Sequence, residues 1–217
     1  MKLRQDTFSS SRLRSLSDGV FAVAMTILVL DLKLPPLGSP ADQNAVSDTL
    51  VEQLPRFVSW ILSFAILCRL WIINHGLLKA GKTRSSSFMA WNFVFLGVIA
   101  FIPFTTSLMS EHHNQALSVI IFSATYAIAG LALVAMAVAY SKQLDTAGGS
   151  SEGIAVKRAA AIMLATALLS SLLALIHPWL GLLIWVLYPF VSALDFGHGT
   201  PPGDLPAGDG SRSRGRR

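Results

Sequence analysis

The sequence predicts an all-α, polytopic membrane protein with six transmembrane helices in one chain, and three observations predict it. Hydrophobic residues make up 53% of the 217, charged residues only 13%, and mean hydropathy is +0.56, whereas a soluble domain carries about 25% charged residues. Apolar runs at 16 to 34, 56 to 77, 88 to 109, 116 to 140, 158 to 176 and 178 to 194 approach the roughly 20 residues that cross a hydrocarbon core. Basic residues then collect on alternate connections, the pattern of a threaded chain.

The first run lacks a small-residue cleavage site and five more follow it, so it reads as a permanent span rather than a signal peptide. It is entered from Lys2, Arg4, Arg12 and Arg14. The connection from Pro35 to Pro55, with Asp42, Asp48 and Glu52, reads as an outer loop holding a short helical piece. Lys79, Lys82 and Arg84 sit between the second and third runs, and Lys142, Lys157 and Arg158 between the fourth and fifth. Residues 145 to 153 are Gly-rich and polar and read as a flexible inner loop. The sixth run is short, but Pro178 is a favoured first-turn residue, and a locally thinned bilayer accommodates the length.

Of the 17 Lys and Arg residues, all but Lys33, Arg56 and Arg69 fall on one side of this threading. The positive-inside rule puts that side, with both termini, in the cytoplasm of a cell-membrane protein. Residues 1–194 read as one six-helix transmembrane domain and 195–217 as a disordered basic cytoplasmic tail. The net charge of +5 is a matter of topology, and without an aromatic-basic surface motif it gives no reason to expect nucleic acid. The single cysteine, Cys68, can form neither an internal disulfide nor a cysteine cluster.

The first run carries the most information. Ser15 and Asp18 match a capping pattern at its cytoplasmic end, and an acid in a first turn suits the helix dipole. Gly19, Val23, Thr26 and Leu30 recur at spacings of four, three and four, which aligns them on one stripe. Small residues on such a stripe can serve helix packing. Alternatively, copies of the stripe surround an axis, with Val23 and Leu30 as apolar constrictions that gate by dewetting and Thr26 as a ring of hydroxyls able to coordinate a cation.

Arg12, Ser17 and Asp18, followed by this helix, resemble the RxxxFSD signature of the transmembrane protein 175 family of potassium channels, with Leu16 in place of the family's phenylalanine. Trp71-x-x-x-His75, Trp91-Asn92 and Ala100-Phe-Ile-Pro-Phe-Thr-Thr extend the resemblance over about residues 12 to 109. It implies a homotetramer around four first helices and a selectivity element of apolar side chains, which residue by residue falls on Val23, Thr26 and Leu30. It also implies that Arg12, Ser17, Asp18, His75 and Asn92 form a polar network holding the first helix in register. Potassium is then the permeating ion, the bilayer and further copies of the chain are the partners, and no cofactor is called for. The sequence has no carbonyl filter of the Thr-Val-Gly-Tyr-Gly type.

By topology Arg12, Ser17, Asp18, Arg69, His75, Trp91 and Asn92 share the cytoplasmic half of the bilayer, where mutual bonding offsets the cost of polar groups in hydrocarbon. Arg69 departs from the family pattern. At roughly 12 Å from its helix end it can snorkel to the interface, or pair with Asp18. Glu111-His112-His113 lacks the i, i+4 spacing of a helical zinc site and reads as a solvated turn. Pro103 and Pro189 read as static kinks. No paired carboxylates, nucleophile-base set or phosphate loop supports an enzyme. The rivals to a channel are a secondary transporter using the inner polar cluster and a non-conducting membrane protein whose stripe packs helices.

Overall fold

The computed structural model describes residues 10–32, 45–79, 85–143 and 151–196, and among them there is helix and no strand. Helix α1 (Ser10–Ile27) tightens into a 3-10 turn at Leu28–Asp31; α2 (Ala45–Glu52) is the short piece in the outer connection. The long helices are α3 (Leu54–Lys79), α4 (Ser86–Glu111), α5 (Ala116–Gln143), α6 (Ser151–Ile176) and α7 (Pro178–Phe196). Five segments are long and apolar enough to cross a membrane: Ser11–Asp31, Leu54–Leu78, Ser86–Glu111, Ala116–Tyr140 and Val156–Ile176. A sixth apolar segment, Pro178–Pro189, is shorter. The chain is a multi-pass helical membrane protein.

Local chemistry explains several boundaries. Ser85 caps α4 by accepting the amide of Phe88 at 3.2 Å, which satisfies one of the free donors of the first turn. Proline starts α7, where its missing N–H costs nothing, directly after the amide of His177 has closed on Leu173 at 2.9 Å. Pro103 and Pro189 lie inside continuous helices.

Some boundaries differ from the sequence expectation. Helix α1 begins at Ser10, so Ser15 and Asp18 stand in its second and third turns and cap nothing; Ser15 Oγ donates back to Ser11 O at 3.1 Å. Polar residues ahead of an apolar run extend the helix here, because a helix does not stop at the edge of hydrocarbon. For the same reason α6 starts at Ser151, inside the stretch read as a loop over 145 to 153. Helix α7 runs to Phe196, two residues into the expected tail; the rest of that tail and most of the loop lie outside the described residues.

Helices α4, α5, α6 and α7 pack each on the next, and α3 closes the bundle by touching α4, α6 and α7. Between hydrocarbon-facing helices there is little hydrophobic drive to associate, so fit and interhelical hydrogen bonds must supply stability. Phe122, Tyr126, Trp185 and Tyr188 form the aromatic centre, with neighbouring ring centroids 4.8 to 5.6 Å apart. A directed chain of bonds runs through it. Trp185 Nε1 donates to Ser123 Oγ at 2.9 Å; Ser170 Oγ gives its proton to Gly181 O at 2.9 Å, so Ser123 must donate to Ser170 at 3.1 Å. Gly181 is required where α7 meets α6, since a Cβ there would lie 2.7 Å from Ser170 O and 3.0 Å from both Ala174 Cβ and Val119 Cγ1.

Between α3 and α4 the buried pair Ser63 and Thr106 is 2.8 Å apart. Thr106 already donates to Ile102 O at 3.0 Å, so Ser63 is the donor.

Candidate functional site: the first helix

Helix α1 packs only on α3 and α4 among the long helices, which leaves it at the edge of the bundle with two unlike faces. Leu13, Ser17, Phe21, Ala24 and Leu28 recur at spacings of four, four, three and four and are buried to 2% exposure or less. Phe21 meets Phe95 of α4 with ring centroids 5.9 Å apart. The opposite face holds Gly19, Val23, Thr26 and Leu30, all exposed, with Val23 at 57% and Leu30 at 63%. The stripe read from the sequence is therefore the face left uncovered among the described residues.

Thr26 Oγ1 lies 3.0 Å from Ala22 O and 2.9 Å from Val23 O and donates to them, so its one proton is committed inside α1. What the exposed hydroxyl offers outward is lone pairs, which can accept a donor or coordinate a cation. Val23 and Leu30 offer only hydrocarbon.

Two sets of polar bonds hold α1 near its ends. In the N-terminal half of α1, Trp71 Nε1 donates to Asp18 Oδ1 at 2.9 Å, and His75 stacks on Trp71 with ring centroids 5.2 Å apart, so Asp18, Trp71 and His75 form one continuous contact between α1 and α3. Arg14 Nη2 donates to Leu78 O at 3.2 Å, capping the C-terminal end of α3, where carbonyls lack helical partners. At the end of the 3-10 turn Asp31 accepts from two serines of α4, Ser107 to Oδ1 at 2.6 Å and Ser110 to Oδ2 at 2.8 Å.

The other polar residues picked out in the sequence take separate positions. Ser17 is buried and donates to Leu13 O at 3.0 Å, bonding within its own helix. Arg12 is exposed. Asn92 is fully buried and both its amide atoms lack a hydrogen-bond partner among the described residues, as do Asn74 Oδ1 and His75 Nδ1 on α3. The partner of Asp18 is the indole of Trp71 rather than Arg69. The geometric reason is that Arg69 and Trp71 are two residues apart, and side chains at that spacing leave a helix in different directions.

Sequence reading missed Asp31, Ser107, Ser110 and Arg14. A lone acid ending an apolar run, and two serines at i and i+3 ending another, were the available signals for the outer clamp. In the outer turn His113 packs edge-on against Trp179 with ring centroids 5.2 Å apart, and Arg56 stands 3.8 Å from Glu111. Among the described residues no group of three or more His, Cys, Asp or Glu could hold a metal.

Comparison with known proteins gives the same reading. Residues 12–103 match the family described as the endosomal/lysosomal potassium channel TMEM175. A protein from Chamaesiphon minutus named a potassium channel is 33% identical over 109 residues, 49% of this chain and 53% of that one. Another of that name, from Streptomyces collinus, is 30% identical over 131 residues, 60% of this chain and 61% of that one. The chain thus spans little more than half the length of these relatives. The crystal structure of a lysosomal potassium-selective channel TMEM175 homolog from Chamaesiphon minutus superposes with a TM-score of 0.74 at 21% identity, covering 86% of this chain and 97% of that one, so the fold is shared. The match falls on α1, α3 and most of α4, the helices that build the two-faced site, and over that stretch the chain is similar to the TMEM175 family.

Proposed function

We propose that this chain is one subunit of a homotetrameric, potassium-permeable channel whose pore is lined by the exposed face of α1. One observation carries the reading. Val23, Thr26 and Leu30 share a face that no other helix covers among the described residues, while Leu13, Ser17, Phe21, Ala24 and Leu28 on the opposite face are buried. Of the five candidate spans, α1 is the least buried inside the protomer, at 28% of its window. A helix that carries the family signature yet is half uncovered is suited to meeting copies of itself.

In this arrangement Val23 and Leu30 form two apolar rings seven residues apart, roughly 10 Å along the axis, with Thr26 between them. A cation crossing an apolar ring sheds part of its water, and that cost falls more heavily on the more tightly hydrated ion. Hydroxyl lone pairs at Thr26 restore some coordination between the rings. Asp18 with Trp71 and His75 then supports α1 from the cytoplasmic side, where both termini lie.

The names of relatives support potassium as the ion. The test is potassium flux into liposomes containing the purified protein, with the subunit number counted by cross-linking. Val23→Asn with Leu30→Asn should raise flux and flatten the preference between potassium and sodium. Unchanged flux and preference in that double variant would reject the apolar-ring mechanism, and a monomer that conducts would reject the tetramer.

A further inference from the structure

We infer that Asp31, with Ser107 and Ser110, is a positioning residue that sets the direction of Leu30 and thereby the outer constriction. This deepens the channel reading and rests on it. The last turn of the first span is 3-10, with three residues per turn, so Leu28 and Asp31 leave on the same side of the helix and Leu30 leaves about a third of a turn away. Leu28 is 2% exposed and Leu30 is 63% exposed, as that geometry requires. The azimuth of Asp31 therefore dictates the azimuth of Leu30.

The clamp on Asp31 is specific. Both carboxylate oxygens are engaged: Ser107 Oγ donates to one at 2.6 Å, and Ser110 Oγ, one turn on along α4, shares its single proton between the other at 2.8 Å and Ser107 O at 2.9 Å. Two charge-assisted bonds to separate oxygens fix the plane of a carboxylate as one bond cannot. The turn itself carries no side-chain cap at Ile27, and Leu32 closes it with a backbone bond to Val29 O at 3.1 Å, while Leu28 packs it against the bundle. Helix α4 is itself seated in the bundle by the Ser63 and Thr106 pair one turn below Ser110, so the clamp refers Leu30 to the rigid part of the protomer.

A second role is open to the carboxylate, attraction of cations by its charge. The two are separable, because removing the serines frees the carboxylate without removing its charge. The test uses the full chain reconstituted in planar bilayers, with the assembly state of each variant checked by mass. Bi-ionic potassium/sodium reversal potentials are measured for the wild type, Asp31→Ala, Asp31→Asn, Ser107→Ala/Ser110→Ala, and the triple Asp31→Ala/Ser107→Ala/Ser110→Ala. The expected result is a shift toward zero in Asp31→Ala and in the serine double variant alike, no further shift in the triple variant, and a smaller shift in Asp31→Asn, which keeps one acceptor oxygen. A reversal potential that stays at the wild-type value in assembled serine double variant overturns the inference, whether or not Asp31→Ala changes conductance. Should the double variant fail to assemble, Ser107→Ala alone, which removes the 2.6 Å bond and leaves the other, must still shift the potential. A wild type that passes no potassium rejects the channel reading and this inference with it, whereas a selective wild type with unaltered variants rejects this inference alone.

Discussion

The indole of Trp71 donates to the carboxylate of Asp18 at 2.9 Å, across the junction of α3 and α1, and thirteen residues later Asp31 accepts from Ser107 and Ser110 of α4. The first helix is thus tied by carboxylates to two different helices, in its third turn and at the end of its 3-10 turn. Its uncovered face between those ties is the one that holds Val23 and Thr26, with Leu30 beside the outer tie.

Trp71→Phe removes the inner donor and keeps most of the ring, so it should destabilise the purified protein by about 1 kcal/mol, the ordinary worth of a hydrogen bond. Asp18→Asn retains an acceptor oxygen and should cost less. Unfolding in detergent of the two single variants and their combination checks this: coupled residues give a combined cost below the sum.

The two faces of α1 should separate stability from transport. Phe21→Ala empties a packed site against Phe95 and should cost about 3 kcal/mol. Val23→Ala, on the uncovered face, should leave protomer stability within about 0.5 kcal/mol while changing flux. Thermal unfolding and liposome flux, measured on the same preparations, decide whether the faces divide in this way.

Gly181→Ala pushes a methyl group to 2.7 Å from a backbone oxygen that cannot withdraw, and should cost about 2 kcal/mol, as overpacking does. Gly130→Ala is the matched comparison. Its nearest neighbour is Met163 Sδ at 3.4 Å, the end of a flexible side chain, so a midpoint of thermal unfolding close to the wild type is expected.

Ser123→Ala leaves the indole N–H of fully buried Trp185 without its acceptor, which should cost about 1 to 3 kcal/mol. Ser123→Thr keeps the hydroxyl and should recover part of the loss. Near-UV circular dichroism of the Trp185 cluster, followed through unfolding, reads both changes.

Sequence reading reached the site unevenly. Val23, Thr26 and Leu30 were legible because helical spacing is a property of the chain itself, and the facing set Leu13, Ser17, Phe21, Ala24 and Leu28 carries the same period. Arg12, Ser17, Asp18, His75 and Asn92 were legible as polar residues in or near apolar runs. Their bonds were not: Asp18 meets Trp71 rather than Arg69, Ser17 bonds inside its own helix, and Arg12 is exposed.

The apolar runs, five long and one short, were written in the order of residues, because hydrocarbon thickness acts on each segment separately. Which helix covers which face was not. That depended on how α3 and α4 lie against α1, and it turned Ser107, Ser110 and Leu78, ordinary residues in the chain, into the partners of Asp31 and Arg14. Period belongs to one helix, but a hydrogen bond between helices needs two surfaces brought within about 3 Å, and only the assembled bundle fixes that distance.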